Sequence, residues 1–181
     1  MADVIKHWNG TDVRLRSGSY WHAFLPGGLL KHNARAGNGV VSSISFLVSN
    51  GLEKAVSPFY AGRWNDKKEV FWEDVRLRAF NTLPERLRAF YCFESRELAE
   101  RAIREWFAGK ELFAREILEL RIAETARLHR CDAQWLEVPD EQWQSSAEAY
   151  WEGKMTANPF PEVLVDGEVY FPSWQTFSFG F

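Results

Sequence analysis

Glu162 stands at the head of an alternating run near the end of the chain, Pro161-Glu162-Val163-Leu164-Val165-Asp166-Gly167-Glu168-Val169-Tyr170-Phe171. By the two-residue period of a strand it shares a face with Leu164, while Val163 and Val165 take the other. Asp166-Gly167 between two apolar runs predicts a tight hairpin turn, because both residues tolerate positive φ. A carboxylate at the entrance of such a strand is either a charge on the rim or a group placed for chemistry. His22 is the second group of interest. It lies in Ser19-Tyr20-Trp21-His22-Ala23-Phe24, where alternation points Tyr20, His22 and Phe24 one way. A neutral imidazole offers one donor and one acceptor, enough for a ribose hydroxyl and a backbone group; it is equally suited to a satisfied core position. His32, in the segment that follows, is a weaker candidate.

Aromatic rings and arginines complete the set. In Arg88-Ala89-Phe90-Tyr91-Cys92-Phe93-Glu94-Ser95, Tyr91 and Phe93 alternate with Phe90 and Cys92. One face of that strand offers rings for a flat ligand or for the core. Tyr60, in Pro58-Phe59-Tyr60-Ala61-Gly62-Arg63-Trp64, is a rival ring. Arg88, Arg14 and Arg16 are the arginines that could meet a phosphate, with surface ion pairing as their ordinary use.

These residues need elements to hold them. Lys68 to Phe80 has Phe71 and Val75 at helical spacing, acidic residues early and arginines late, which predicts a helix. Ser95 is placed to cap a helix whose apolar stripe is Leu98, Ala102, Ile103 and Trp106, with Gly109 to stop it. Asp140 is placed to cap a last helix in which Trp143, Ala147, Tyr150 and Trp151 share a face, ending near Gly153. Arg115–Ile122 alternates as a strand with Leu118, Leu120 and Ile122 on one face. Ile44-Ser45-Phe46-Leu47-Val48 reads as a strand between loops rich in Gly, Ser and Asn. Helices and strands mix without regular βαβ alternation, so the fold class is α+β.

The 181 residues are long enough for a substantial core and read as one domain, 1–181. Nine Trp, fourteen Phe and five Tyr supply large contact areas, chiefly for that core. A net charge of −3 conceals an asymmetry, because residues 1–50 carry five basic and only two acidic side chains. A cationic N-terminal part suits a pyrophosphate or nucleic-acid backbone, while the overall acidity disfavours strong nonspecific nucleic-acid binding. No apolar run approaches the roughly 18 residues that a membrane span needs, and the N-terminus lacks the apolar stretch of a secretory signal. Cys92 and Cys131 form no disulfide framework and no C-x-x-C pair. A reduced cytoplasm is the expected location, and a delivered effector would look the same. P-loop, dinucleotide-binding glycine, G-x-S-x-G and zinc-ligand patterns are all missing, so no metal is expected.

Taken in chain order, Ser19–Phe24 with Gly28-Leu29-Leu30-Lys31-His32, then Arg88–Ser95 running into Glu97–Ala102, then Pro161–Phe171 resemble the ADP-ribosyltransferases, particularly the DarT-like branch. The resemblance spans residues 19 to 171. It implies a split, mostly antiparallel sheet with NAD held in a cleft, His22 on the adenosine ribose and Glu162 as the catalytic carboxylate. It further implies that Tyr20, Tyr91, Tyr60, Arg88 and Ser95 are candidate NAD contacts, with Tyr91 or Tyr60 packing on nicotinamide. The usual hydroxyl-rich central motif is reduced here to Ser95. Cleaving the nicotinamide–ribose bond passes through an oxocarbenium-like species, which a nearby carboxylate stabilises. The DarT-like final segment implies a nucleic-acid acceptor, DNA or RNA, and hence a toxin restrained by an antitoxin protein or used in phage defence. A protein side chain as acceptor is the first alternative. A non-catalytic nucleotide- or protein-binding module is the second.

Overall fold

The computed structural model describes residues 3–24, 29–51, 65–107 and 115–177. The fold is α+β, and the chain divides into two compact units interleaved along the sequence. Met1–Ser42, Cys92–Ala126 and Glu168–Phe181 form the first, Ser43–Tyr91 and Arg127–Gly167 the second.

In the first unit, β1 (Val4–Lys6) pairs antiparallel with β2 (Asp12–Arg14). The strands β3 (Tyr20–Phe24), β4 (Val40–Ser42), β6 (Glu116–Ile122) and β9 (Glu168–Tyr170) make a four-stranded sheet in the order β3-β6-β9-β4, antiparallel at each pairing. The expected strand at Arg115–Ile122 is β6, and Tyr20 and His22 stand opposite its Leu120 and Leu118. Helix α1 (Leu30–Ala36) packs on β4. Helix α4 (Arg96–Ala102) packs on β3 and β6. Ser95 caps α4 as its position predicts, its Oγ accepting from the Leu98 amide at 3.2 Å. The helix continues into one π-helical turn, Ile103–Phe107; Gly109, the expected stop, lies outside the described residues. Val13, Leu15, Val40 and Ala123 form a buried cluster beneath Ile5 and Tyr170.

The second unit holds α2 (Ile44–Ser49), α3 (Lys67–Ala79), α5 (Trp143–Trp151), the strands β7 (Arg127–Asp132) and β8 (Pro161–Asp166), and β5 (Phe90–Cys92) up to Tyr91; these strands are ordered β5-β8-β7. Helix α3 is the one the spacing predicts, started by Asp66, whose Oδ1 accepts from the Lys68 amide at 2.9 Å. Its Trp72 and Val75 pack with Ala147, Tyr150 and Trp151 of α5, and with Cys131 and Leu164, as one core. The Trp151 indole donates to the Trp72 carbonyl at 2.9 Å and ties the two helices together. As the central strand, β8 is buried from Glu162 through Asp166.

Three expectations need correcting. Ile44–Val48 is helical, and the strand lies earlier at β4, because Ser43 caps the helix: its Oγ accepts from the Phe46 amide at 3.1 Å. The Asp166-Gly167 hairpin does not form, since β8 and β9 are hydrogen-bonded in different sheets. Ser43 again supplies the reason. Its amide donates to the Gly167 carbonyl at 2.8 Å, its Oγ accepts from the Gly167 amide at 3.0 Å and donates to Asp166 at 2.9 Å. Those bonds hold Gly167 at φ 139°, a conformation open to glycine and foreign to a two-residue turn. Asp140 begins a 3-10 turn, Asp140–Gln142, and α5 starts after it without a side-chain cap. Gly153, at φ 71°, does end that helix.

Candidate functional site

Glu162 is not on a rim. Its side chain is 2% exposed and paired with Arg86, whose Nη1 donates to Oε1 at 3.0 Å. The Tyr150 hydroxyl donates to the same oxygen at 2.7 Å. Cys131, opposite Glu162 in the β7–β8 register, brings its Sγ to 3.8 Å from Oε1. Oε2 receives no hydrogen bond from the described residues.

Arg86 is gripped from the other side by Glu69 of α3. Its Nε donates to Oε2 at 3.0 Å and its Nη2 to Oε1 at 3.2 Å, a two-pronged contact along one edge of the guanidinium. Nη1 also donates to the Tyr150 hydroxyl. The guanidinium carbon lies 5.0 Å from the Tyr150 ring centre and 5.5 Å from that of Tyr91. Two carboxylates thus share one guanidinium inside an aromatic wall. Burial alone would lower Arg86, but Tyr150, Tyr91, Glu69 and Glu162 more than reverse it, so it stays charged. Burial raises Tyr150 and Tyr91 well above the usual phenol value, so both remain protonated. It also raises Cys131, which is therefore a thiol and a poor nucleophile.

Two neighbouring groups stiffen the surroundings. The Asp132 carboxylate, at the end of β7, accepts from the amides of Gln134, Thr156 and Phe160 at 3.0, 2.7 and 2.8 Å, and from the Thr156 hydroxyl at 2.7 Å. It organises the loop that delivers the chain to β8. His129 of β7 shares a 3.0 Å hydrogen bond with the Tyr150 carbonyl and stacks on Trp151 with ring centres 5.5 Å apart. Burial pulls it below the usual imidazole range.

The other expected site residues are distributed as follows. Tyr91 is in the second unit beside Arg86, and Arg88, also there, pairs with Glu85 at 3.2 Å. His22 and Tyr20 are half-buried on β3 of the first unit, His22 stacked on Phe24 at 6.3 Å between ring centres. Burial, then the charges of Cys92 and Glu94, raise Tyr20. Ser95 is engaged as the α4 cap. Arg16 is spent on carbonyls, reaching those of Glu124 and Ala126 at 3.0 and 2.9 Å. Tyr60 lies outside the described residues.

Sequence reasoning missed Arg86 and Glu69 and took Tyr150 only as core. Glu69 carried a signal: three and six positions before Trp72 and Val75, it lies on the buried face of α3. Arg86 carried none, being one of two arginines in the loop before β5.

Residues 48–173 match the model of a family described as Protein of unknown function (DUF2441). The chain belongs to this family. The DUF2441 span includes all of Glu69, Arg86, Tyr91, Cys131, Tyr150 and Glu162, whereas Tyr20 and His22 precede it. No curated protein matches the chain. Among the described residues, no group of three or more His, Cys, Asp or Glu is arranged to hold a metal ion. No described helix is long and apolar enough to cross a membrane.

Proposed function

We propose that this DUF2441 protein is an NAD-dependent ADP-ribosyltransferase acting on nucleic acid. The observation that carries the reading is the state of Glu162: Oε1 is tied down by Arg86 and Tyr150, while Oε2 receives no donor from the described residues. A carboxylate held on one oxygen is suited to take a ribose hydroxyl on the other and to stabilise positive charge at the anomeric carbon. The bond from that carbon to nicotinamide breaks, nicotinamide leaves neutral, and a base or hydroxyl of DNA or RNA forms the new bond and releases its proton. Glu162 is the catalytic residue of this scheme. Arg88 and Tyr91, in the same unit as Glu162, are its candidate NAD contacts, and a neutralising antitoxin in the cytoplasm is the expected partner.

Labelled NAD incubated with the protein and DNA, RNA or cell lysate tests the proposal. Transfer is expected to nuclease-sensitive material and to disappear in Glu162→Gln. Protease-sensitive label would move the acceptor to a protein.

The burial of Glu162 favours a second reading. A carboxylate 2% exposed and neutralised by an arginine is also what a structural ion cluster in a non-catalytic binding module looks like. In that case NAD yields no nicotinamide, and Glu162→Gln alters stability alone.

A further inference from the structure

A guanidinium is planar, so two bonds along one of its edges fix the direction of the opposite nitrogen. In Arg86 the fixed edge is Nε and Nη2, both held by the Glu69 carboxylate, and the remaining nitrogen is Nη1. Nη1 serves two neighbours, the Tyr150 hydroxyl and Glu162 Oε1, and the same hydroxyl donates onward to Oε1. The loop residue Arg86 therefore links α3, α5 and β8: one edge is held by Glu69, while its Nη1 and the Tyr150 hydroxyl both donate to the same oxygen of Glu162. Glu69 and Arg86 are each 6% exposed at the side chain, so neither competes strongly with water for its partners. A lysine at position 86 could meet one carboxylate as a point charge but could not grip Glu69 and aim at Glu162 together.

We infer that Arg86, anchored by Glu69, is the positioning residue that turns Glu162 so that Oε2 is its working oxygen. Tyr150 is the second member of this device, since its hydroxyl occupies Oε1 alongside Arg86. The inference rests on the transferase reading, because a working oxygen needs a reaction to serve. It adds that the arginine acts on catalysis without touching substrate.

The test compares wild type, Arg86→Lys, Glu69→Gln and Tyr150→Phe for NAD affinity by calorimetry and for transfer rate per folded molecule. Misplacing a catalytic group by roughly 1 Å costs about a hundredfold in rate. Arg86→Lys is therefore expected to lose about a hundredfold in kcat with NAD affinity within about threefold of wild type, the pattern of a purely transition-state defect. Glu69→Gln, which loosens the grip without removing the arginine, is expected to show the same selective loss at smaller size. A merely structural role would lower the folded fraction and leave kcat per folded molecule unchanged. Unchanged kcat in Arg86→Lys beside an active wild type overturns the inference and leaves the transferase reading standing. Should Arg86→Lys not fold, unchanged kcat in both Glu69→Gln and Tyr150→Phe overturns it equally. A wild type that neither binds NAD nor transfers overturns the reading, and this inference with it.

Discussion

Arg86 and Glu162, 76 positions apart in the chain, meet in a 3.0 Å salt bridge that is almost closed to solvent. The pair is the centre of a buried cluster and not an isolated contact, because Glu69 and Tyr150 also accept hydrogen bonds from the guanidinium. Removing one member of such a cluster leaves charges uncompensated in a dry interior.

Arg86→Met is therefore expected to destabilise the protein by about 3–5 kcal/mol, the usual cost of breaking a buried pair. Replacing Glu69, Arg86 and Glu162 together by apolar residues of similar volume should cost much less, since no charge is then left alone. Urea unfolding of the single and triple variants checks this. A triple variant weaker than Arg86→Met would contradict the account.

Tyr150→Phe removes the hydroxyl that donates to Glu162 and leaves the ring in the core. Hydrogen bonds to charged groups contribute about 1.5–3 kcal/mol, and the loss is expected within that range. Thermal melts read it directly; a loss below about 0.5 kcal/mol would show that the hydroxyl matters little.

Acid should weaken the fold in two stages, because two groups of the second unit have folded pKa values below their ordinary ones. Burial lowers His129, and the hydrogen bond to the Tyr150 carbonyl offsets this only in part. For Asp132 burial alone would raise the carboxyl, but hydrogen bonds from Thr156, Phe160 and Gln134 prevail and hold it low. In both cases the unfolded chain takes up the proton more readily than the folded one. The stability is whole above the unfolded value, about 6.5 for His and about 3.9 for Asp, and is lost as pH falls from there through the folded value. Melting temperature against pH should show both declines, and His129→Gln should abolish the upper one. A curve for His129→Gln parallel to wild type between about pH 7 and about pH 5 would refute the assignment.

Ser43→Ala should cost about 1–2 kcal/mol, because one hydroxyl caps α2, accepts from Gly167 and donates to Asp166. Hydrogen exchange at the Phe46 and Gly167 amides should accelerate in this variant. Slow exchange at both would mean that Ser43 does not organise the turn.

Local patterns wrote much of the fold into the chain. Lys67–Ala79, Glu116–Ile122 and the Ser95 cap were legible because period, charge gradient and capping act over a few neighbouring residues. Asp166-Gly167 misled for the opposite reason: its dipeptide favours a tight turn, and Ser43, 124 residues away from Gly167, overrides it. Glu162 was legible as a strand-entry carboxylate, yet neither its burial nor its partners were. Burial is set by β8 lying between β5 and β7, and partnership by a loop arginine and two helices arriving at one point. Sequence by itself determined the elements whose signals are local, such as Lys67–Ala79 and Glu116–Ile122, and which side chains are capable of chemistry, while the helix at Ile44–Ser49 escaped it. Tertiary structure alone decided which charges meet, because an ion cluster forms where distant segments exclude water together, and no spacing along the chain encodes that meeting.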